Sequence, residues 1–177
     1  YSFFDGGIIV NLDHYHYLKV MKEICLLIPE PCFLIIEAPL SMDMEKKYRK
    51  NDESLLHKGI YYADNLNQES VKTIFEAFGD LLIEDGISNF GFGSETMSIE
   101  VMKYKYNILS IFCENPELFV RVLEDNDIHY VEDIITGFDV IDDDNPVLCR
   151  RISDEDGNSV FDVIEFLKDK IELYLAH

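Results

Sequence analysis

Residues 97–112, MSIEVMKYKYNILSIF, decide the fold class that this sequence predicts. In residues 97–104, apolar side chains alternate with Ser98 and Glu100, a period of two that predicts a strand with one face in water. Residues 106–112 are nearly all apolar towards their end, which predicts a central strand of the same sheet. The stretch therefore indicates a protein built around a β-sheet.

Further segments with the apolar spacing of strands or of helices lie on both sides of this stretch. Runs rich in β-branched and aromatic residues predict strands at residues 8–12, 33–37, 60–63, 134–141 and 147–152. Apolar residues at helical spacing predict four helices. The first covers residues 14–27 with Asn11 or Asp13 as cap, and the second follows the capping-box-like Asn65-Leu66-Asn67-Gln68 and ends near Gly86. The third runs from Asn115 to residues 125–127, and the fourth covers residues 159–174.

This order of elements predicts an α+β fold. We expect a mixed, mainly antiparallel sheet of about five to seven strands with about four helices packed on it, and α/β is the alternative. The chain of 177 residues has no internal repeat and no Pro- or Gly-rich linker. A chain of this length buries roughly 70% of its unfolded surface. We therefore predict a single globular domain over residues 1–177.

The net charge of −20 excludes several classes of partner. With 35 acidic and 15 basic side chains, direct binding to a nucleic-acid backbone or an anionic membrane is disfavoured, because such binding needs clustered lysines and arginines. The four cysteines form no CxxC pair, and Cys25 and Cys113 lie in apolar runs, as buried thiols of a reducing compartment do. No apolar run approaches the 18 or so residues of a membrane span. We predict a cytoplasmic protein.

The acidic excess is concentrated in the last third of the chain. Residues 114–177 hold 18 acidic and 5 basic side chains. Two predicted loops on either side of one predicted strand carry most of the clustered acid, and such a patch is complementary to a basic protein surface. The predicted partner-binding residues are Asp139, Asp142, Asp143, Asp144, Asp154, Glu155 and Asp156.

Other groupings give weaker signals. Imidazole and carboxylate ligands at Asp13, His14 and His16 would suit a divalent metal, but a helix beginning at Asp13 points the two histidines in different directions. Asp156-Gly157 predicts a tight turn, because an EF-hand register around Gly157 lacks acidic first and last ligands. Gly91-Phe92-Gly93 predicts a bend before the sheet, and the basic residues 46–50 a mobile surface loop. We predict no metal site, no cofactor and no catalytic residue.

The second half of the chain resembles a known class of proteins. The runs Lys105-Tyr106-Asn107-Ile108-Leu109, Gly137-Phe138-Asp139 and Asp156-Gly157-Asn158-Ser159-Val160-Phe161-Asp162 are similar to segments of small acidic immunity proteins from bacterial polymorphic toxin systems. The resemblance covers residues 91–167. It implies a non-enzymatic inhibitor that masks a basic toxin domain, and it transfers no binding residue.

Three functions follow as hypotheses. The first is a cytoplasmic, non-enzymatic binding protein, an immunity-type or regulatory inhibitor that uses its acidic surface against a basic protein partner and acts as a monomer or homodimer. The second is a metal-dependent enzyme that uses the cluster Asp13, His14 and His16. The third is a structural subunit or homodimer.

Overall fold

One antiparallel sheet organises the protein. A computed structural model describes residues 1–48, 57–141, 144 and 146–176, and within them the sheet has eight strands in the order β1-β2-β7-β6-β5-β3-β4-β8. The strands are β1 (Ser2–Phe4), β2 (Gly7–Asn11), β3 (Cys32–Pro39), β4 (Lys58–Leu66), β5 (Asn89–Ser94), β6 (Ile99–Tyr104), β7 (Ile108–Phe112) and β8 (Tyr174–Leu175).

Four longer helices cover one face of the sheet. The described residues form α1 (His14–Cys25), α2 (Met42–Tyr48), α3 (Gln68–Glu84), α4 (Glu117–Asp125), α5 (Gly137–Val140) and α6 (Val160–Ile171). Helices α1 and α3 pack against each other and against β6 and β5, while α4 packs against α1 and α6 against α3. None of the helices in the described part of the chain combines the length and apolar composition needed to cross a membrane.

The core lies between these helices and the sheet. Because side chains alternate along a strand, every second residue of a strand faces the helices. Leu34 and Ile36 of β3 and Phe90 and Phe92 of β5 are fully buried on that face. The ring of Phe75 from α3 lies 6.1 Å from the Phe90 ring and 5.2 Å from the Phe92 ring, so aromatic packing joins α3 to the middle of the sheet.

The opposite face of the sheet explains two glycines that the sequence analysis misassigned. Gly91 and Gly93 belong to β5 and form no bend. A β-carbon on Gly93 would lie 2.2 Å from Cζ of Phe33, and one on Gly91 would lie 2.5 Å from Sδ of Met102. The side chains of the neighbouring strands therefore occupy the space above the glycines. Glycine therefore fits these two positions of β5, because side chains of the adjacent strands fill the space that a larger residue would need.

The predicted caps Asp13 and Ser159 are confirmed, Asn67 of the predicted box Asn65–Gln68 caps α3, and Pro116 takes the cap position of α4 that was predicted for Asn115. The Asp13 carboxylate accepts hydrogen bonds from the backbone of Tyr15 and His16 at the start of α1. The Asn67 side chain accepts a hydrogen bond from Ser70 N at the start of α3, and Ser159 precedes α6 in a capping box with Asp162. These caps are local side-chain-to-backbone bonds, which is why the sequence reveals them.

The α+β class is confirmed, and the described sheet has more strands than predicted. The predicted strands at residues 134–141 and 147–152 are wrong, because the described parts of these segments contain the short helix α5 and irregular chain. Their β-branched residues do not alternate between a buried and an exposed face: Thr136 is buried, whereas Ile135, Val140 and Val147 are exposed. Within the predicted basic loop, residues 46–48 belong to α2, and residues 49 and 50 lie outside the described residues.

Candidate functional site

A long connection between α4 and α6 contains all seven residues that the sequence predicted as a binding surface. We call residues 126–158 the acidic connection. Its only regular element among the described residues is the four-residue helix α5. Loops longer than about 12–15 residues are uncommon in compact domains, and many of them serve a function.

Hydrogen bonds fix the first part of the acidic connection along the edge of the sheet. Tyr1 N donates to the carbonyl oxygen of His129 at 2.8 Å, and Val131 N donates to the carbonyl oxygen of Tyr1 at 2.8 Å. The side chain of Ser2 donates to the carbonyl oxygen of Glu132. Tyr1 and Ser2 thus hold the acidic connection through bonds to its backbone, which do not involve its side chains.

Three further contacts hold the rest of the acidic connection. Asn11 Nδ2 donates to the carbonyl oxygen of Ile135 at 2.9 Å, and the ring of Phe138 meets the ring of Tyr106 edge-on at 5.0 Å. Beyond the described Asp144, Gly86 N donates to the carbonyl oxygen of Arg150 at 2.9 Å. The acidic connection is therefore anchored at both ends of its course.

The acidic connection exposes large apolar side chains. Ile135 is 68% exposed, Phe138 63% and Leu148 69%, and the remaining exposed members are Tyr130, Val131, Val140 and Val147. Scattered exposed apolar residues are ordinary, whereas a contiguous exposed apolar patch is typical of an interaction site. Between Arg121 and Arg150 the sequence has nine acidic residues and neither lysine nor arginine.

Two of the predicted binding carboxylates have structural roles. The Asp139 carboxylate accepts hydrogen bonds from the backbone and the hydroxyl of Thr136, both at 2.8 Å, and these bonds lower the pKa of Asp139. The Asp154 carboxylate accepts bonds from the side chain and backbone of Asn158 and from Asp156 N, which lower the pKa of Asp154. Both groups therefore stay ionised while they shape the backbone.

The other predicted binding residues occupy separate places. Glu155 and Asp156 are exposed in the tight turn that Gly157 completes with φ of +85°, so the predicted turn is confirmed. Asp144 is exposed near the middle of the acidic connection. Asp142 and Asp143 lie outside the described residues, and their part in a surface stays a prediction.

His14 and His16 of the candidate metal cluster point to different partners, as the helical spacing predicts. His16 Nδ1 contacts Asp13 Oδ2, and this hydrogen bond lowers the pKa of Asp13. His14 Nε2 instead lies 3.6 Å from Glu84 Oε1 on α3. Within the described ranges, no group of three or more His, Cys, Asp or Glu side chains is arranged to hold a metal ion. His16 therefore contacts the cap of its own helix, whereas His14 connects α1 to α3.

The sequence analysis missed the exposed apolar residues because it assigned them to strands. Ile135, Phe138 and Val140 were assigned to a strand at residues 134–141 and Leu148 to one at 147–152. The capping-box pattern Thr136-x-x-Asp139 was the available signal, since the same pattern starts α6 at Ser159. It marks a helical turn in the middle of the predicted strand.

Comparison with known proteins finds no significant match. No family model matches the chain, and neither a curated protein nor a solved structure is significantly similar to it. The resemblance to immunity proteins therefore stays a prediction from the sequence, and the surface chemistry of the acidic connection carries the functional argument.

Proposed function

We propose that this protein is a non-enzymatic binding protein of the immunity type, which inhibits a basic protein partner through the acidic connection. One observation carries the proposal: residues 126–149 of the acidic connection contain no lysine or arginine and expose large apolar side chains, and the exposed Arg150 and Arg151 follow them. Such a surface combines the two contributions that protein interfaces use.

The apolar and acidic residues have different tasks in the proposal. Ile135, Phe138 and Leu148 are the anchors, because burying them against a partner removes apolar surface from water. The carboxylates steer a basic partner towards the surface and set its orientation, an effect that weakens as salt increases. Glu132, Asp133, Glu155 and Asp156 are exposed and suited to this role.

The anchoring of the acidic connection supports the same proposal. A segment already held by backbone bonds to Tyr1 and Gly86 loses less conformational entropy on binding than a free chain. The neighbouring ring of Tyr106 likewise restricts Phe138. We therefore expect association without large refolding of the acidic connection.

The test is capture of a partner from the native cells at low salt, followed by mass spectrometry and a comparison of variants. Wild type should retain a basic protein, and the double variant Phe138→Ala/Leu148→Ala should lose most of it. The double variant Glu132→Gln/Asp133→Asn should bind with a lower association rate. The matched control, Glu69→Gln/Asp80→Asn, removes two exposed carboxylates from α3 and should bind as wild type does.

Two results would contradict the proposal. One is that no basic protein is retained at low salt. The other is that the variants of the acidic connection and the α3 control retain the same protein equally. If Phe138→Ala/Leu148→Ala instead abolishes a concentration-dependent dimer seen by light scattering, the anchors serve self-association, and the proposed inhibitor role is wrong.

A further inference from the structure

A cleft with acidic and aromatic walls lies away from the acidic connection. It forms where the start of β3, the end of β4 and the strand β8 meet the turn that follows β5, and its volume is about 370 Å³. That size is within the range of small-molecule sites. Its walls include Phe33, Asp64, Glu95, Thr96 and Tyr174.

The charge of the cleft is negative. Asp64 and Glu95 contribute carboxylates, and none of the residues that line the cleft is lysine or arginine. Tyr174 donates its hydroxyl hydrogen to Asp64 Oδ2 at 2.8 Å, and this bond, reinforced by the charges of Asp64 and Glu95, raises the pKa of Tyr174. Both carboxylates therefore act on the same small volume, where a cation would be stabilised.

Aromatic rings form the other side of the site. The Tyr62 ring lies 6.0 Å from the Phe33 ring and stacks on the Tyr174 ring at 6.4 Å. Two rings of this row, Phe33 and Tyr174, line the cleft itself. Aromatic faces attract cations, and a planar guanidinium can stack on them while its N–H groups bind carboxylates.

The walls are held in place by the sheet and its turns. Ser94 is fully buried, donates to the carbonyl oxygen of Pro31 at 3.2 Å and lies 2.9 Å from the hydroxyl of Thr96. Tyr174 pairs with Tyr62 in the sheet, and Ala176 N donates to the carbonyl oxygen of Ile60 at 2.7 Å. A preformed site of this kind binds with a small ordering cost.

The cysteine in the cleft points to binding and not to covalent chemistry. Burial, with a further effect from Glu30, raises the pKa of Cys32 to about 11. Its sulfur therefore remains a thiol at neutral pH, and a thiol is a poor nucleophile.

We propose that this cleft binds a guanidinium group, carried either by a free small molecule or by an arginine side chain. Glu95 and Asp64 would neutralise the charge, and the rings of Phe33 and Tyr174 would cover the faces of the guanidinium. The carboxylates accept its N–H groups in pairs, which the single point charge of an ammonium does not match. The proposal is independent of the acidic connection.

The test measures the binding of two probes of equal shape, butylguanidinium and butylurea, from the changes that each causes in the amide chemical shifts of the protein. Butylguanidinium should shift signals of the cleft residues and bind about tenfold more tightly than the neutral butylurea. Glu95→Gln should weaken butylguanidinium binding about fivefold or more, since it removes one carboxylate. Asp80→Asn, an exposed carboxylate on α3, is the matched control and should leave the binding unchanged.

A further experiment distinguishes a free small molecule from an arginine side chain as the source of the guanidinium group. A short peptide with a central arginine that binds more tightly than butylguanidinium identifies a protein side chain as the ligand, and the reverse order identifies a small molecule. Equal binding of butylguanidinium and butylurea would overturn the proposal, as would full binding by Glu95→Gln. Neither result depends on whether Phe138 or Leu148 binds a partner.

Discussion

At the scale of single residues, Lys103 shows how a charged side chain is accommodated in the core. It is 3% exposed, and its Nζ donates to the carbonyl oxygens of Asp85 at 2.6 Å and Ser88 at 3.0 Å. The fully buried Asp85 carboxylate accepts bonds from the backbone and hydroxyl of Ser88. Lys103 thereby joins β6 to the turn between α3 and β5, and burial lowers its pKa to about 8.

Lys103 should make stability depend on pH. Its pKa is lower in the folded protein than the ordinary 10.5, so between these values the unfolded chain holds a proton that the folded protein has released. Raising the pH through this window therefore stabilises wild type relative to Lys103→Met, by up to about 3 kcal/mol. Urea unfolding of both proteins at pH values below and above the window measures the difference. A constant difference would contradict the prediction.

Gly91 should tolerate no larger residue. A β-carbon there would lie 2.0 Å from the carbonyl oxygen of Val101, so the backbone itself must move. We expect Gly91→Ala to lower the free energy of unfolding by about 1–3 kcal/mol in denaturant titrations. Gly79→Ala on α3 is the control, because its nearest obstacle is the end of the flexible Leu18 side chain. Equal stability of the two variants would contradict this account.

At the scale of elements, side-chain caps determine where helices begin, and α6 depends on one of them. Ser159 Oγ donates to Asp162 Oδ2 at 2.8 Å, and Ser159 N donates to the same oxygen at 2.7 Å. These bonds, with the backbone bond as the largest cause, lower the pKa of Asp162. The cap fixes the position at which the acidic connection ends and α6 begins.

Removing this cap should weaken the whole protein. Because α6 packs on α3, its fraying would expose core residues such as Val163 and Leu167. Ser159→Ala should cost about 1 kcal/mol of unfolding free energy. Ser153→Ala, an exposed serine in the acidic connection, is the matched control and should change the stability little. Thermal or urea unfolding measures both, and equal losses would show that the cap contributes nothing.

At the scale of the whole molecule, the net charge of −20 opposes the compact state. Like charges held close together repel each other, and the repulsion is greatest in the last third of the chain, where 18 of the 35 acidic residues lie. The same field would guide a basic partner to the acidic connection. If the proposed function holds, stability and association depend on the same electrostatic property.

Salt should stabilise the free protein. Screening of the self-repulsion predicts that Tm rises by about 2–5 °C between very low ionic strength and about 0.15 M salt. Differential scanning calorimetry in sodium chloride and in tetramethylammonium chloride tests this, since screening does not depend on the identity of the cation. A constant or falling Tm in both salts would contradict the prediction.

The sequence predicted features that depend on neighbouring residues. Asp13 and Ser159 cap helices through bonds within four residues, so these two helix starts could be predicted without any knowledge of the fold. The period of two in β6 and the apolar run in β7 likewise predicted strands, and the α+β class followed from them. Counting charged residues along the sequence was enough to locate the excess of acidic side chains in residues 114–177.

Features that depend on distant residues were decided by the tertiary structure. Strand β5 contains two glycines and is a strand because Phe33 and Met102 cover them from the neighbouring strands. Residues 134–141 have β-branched residues but obtain no strand partner among the described residues, so Ile135 and Phe138 remain exposed. The cleft between Asp64 and Tyr174 joins residues 110 positions apart. Local bonds and composition are properties of the sequence, whereas burial and long-range pairing exist only once the chain has folded.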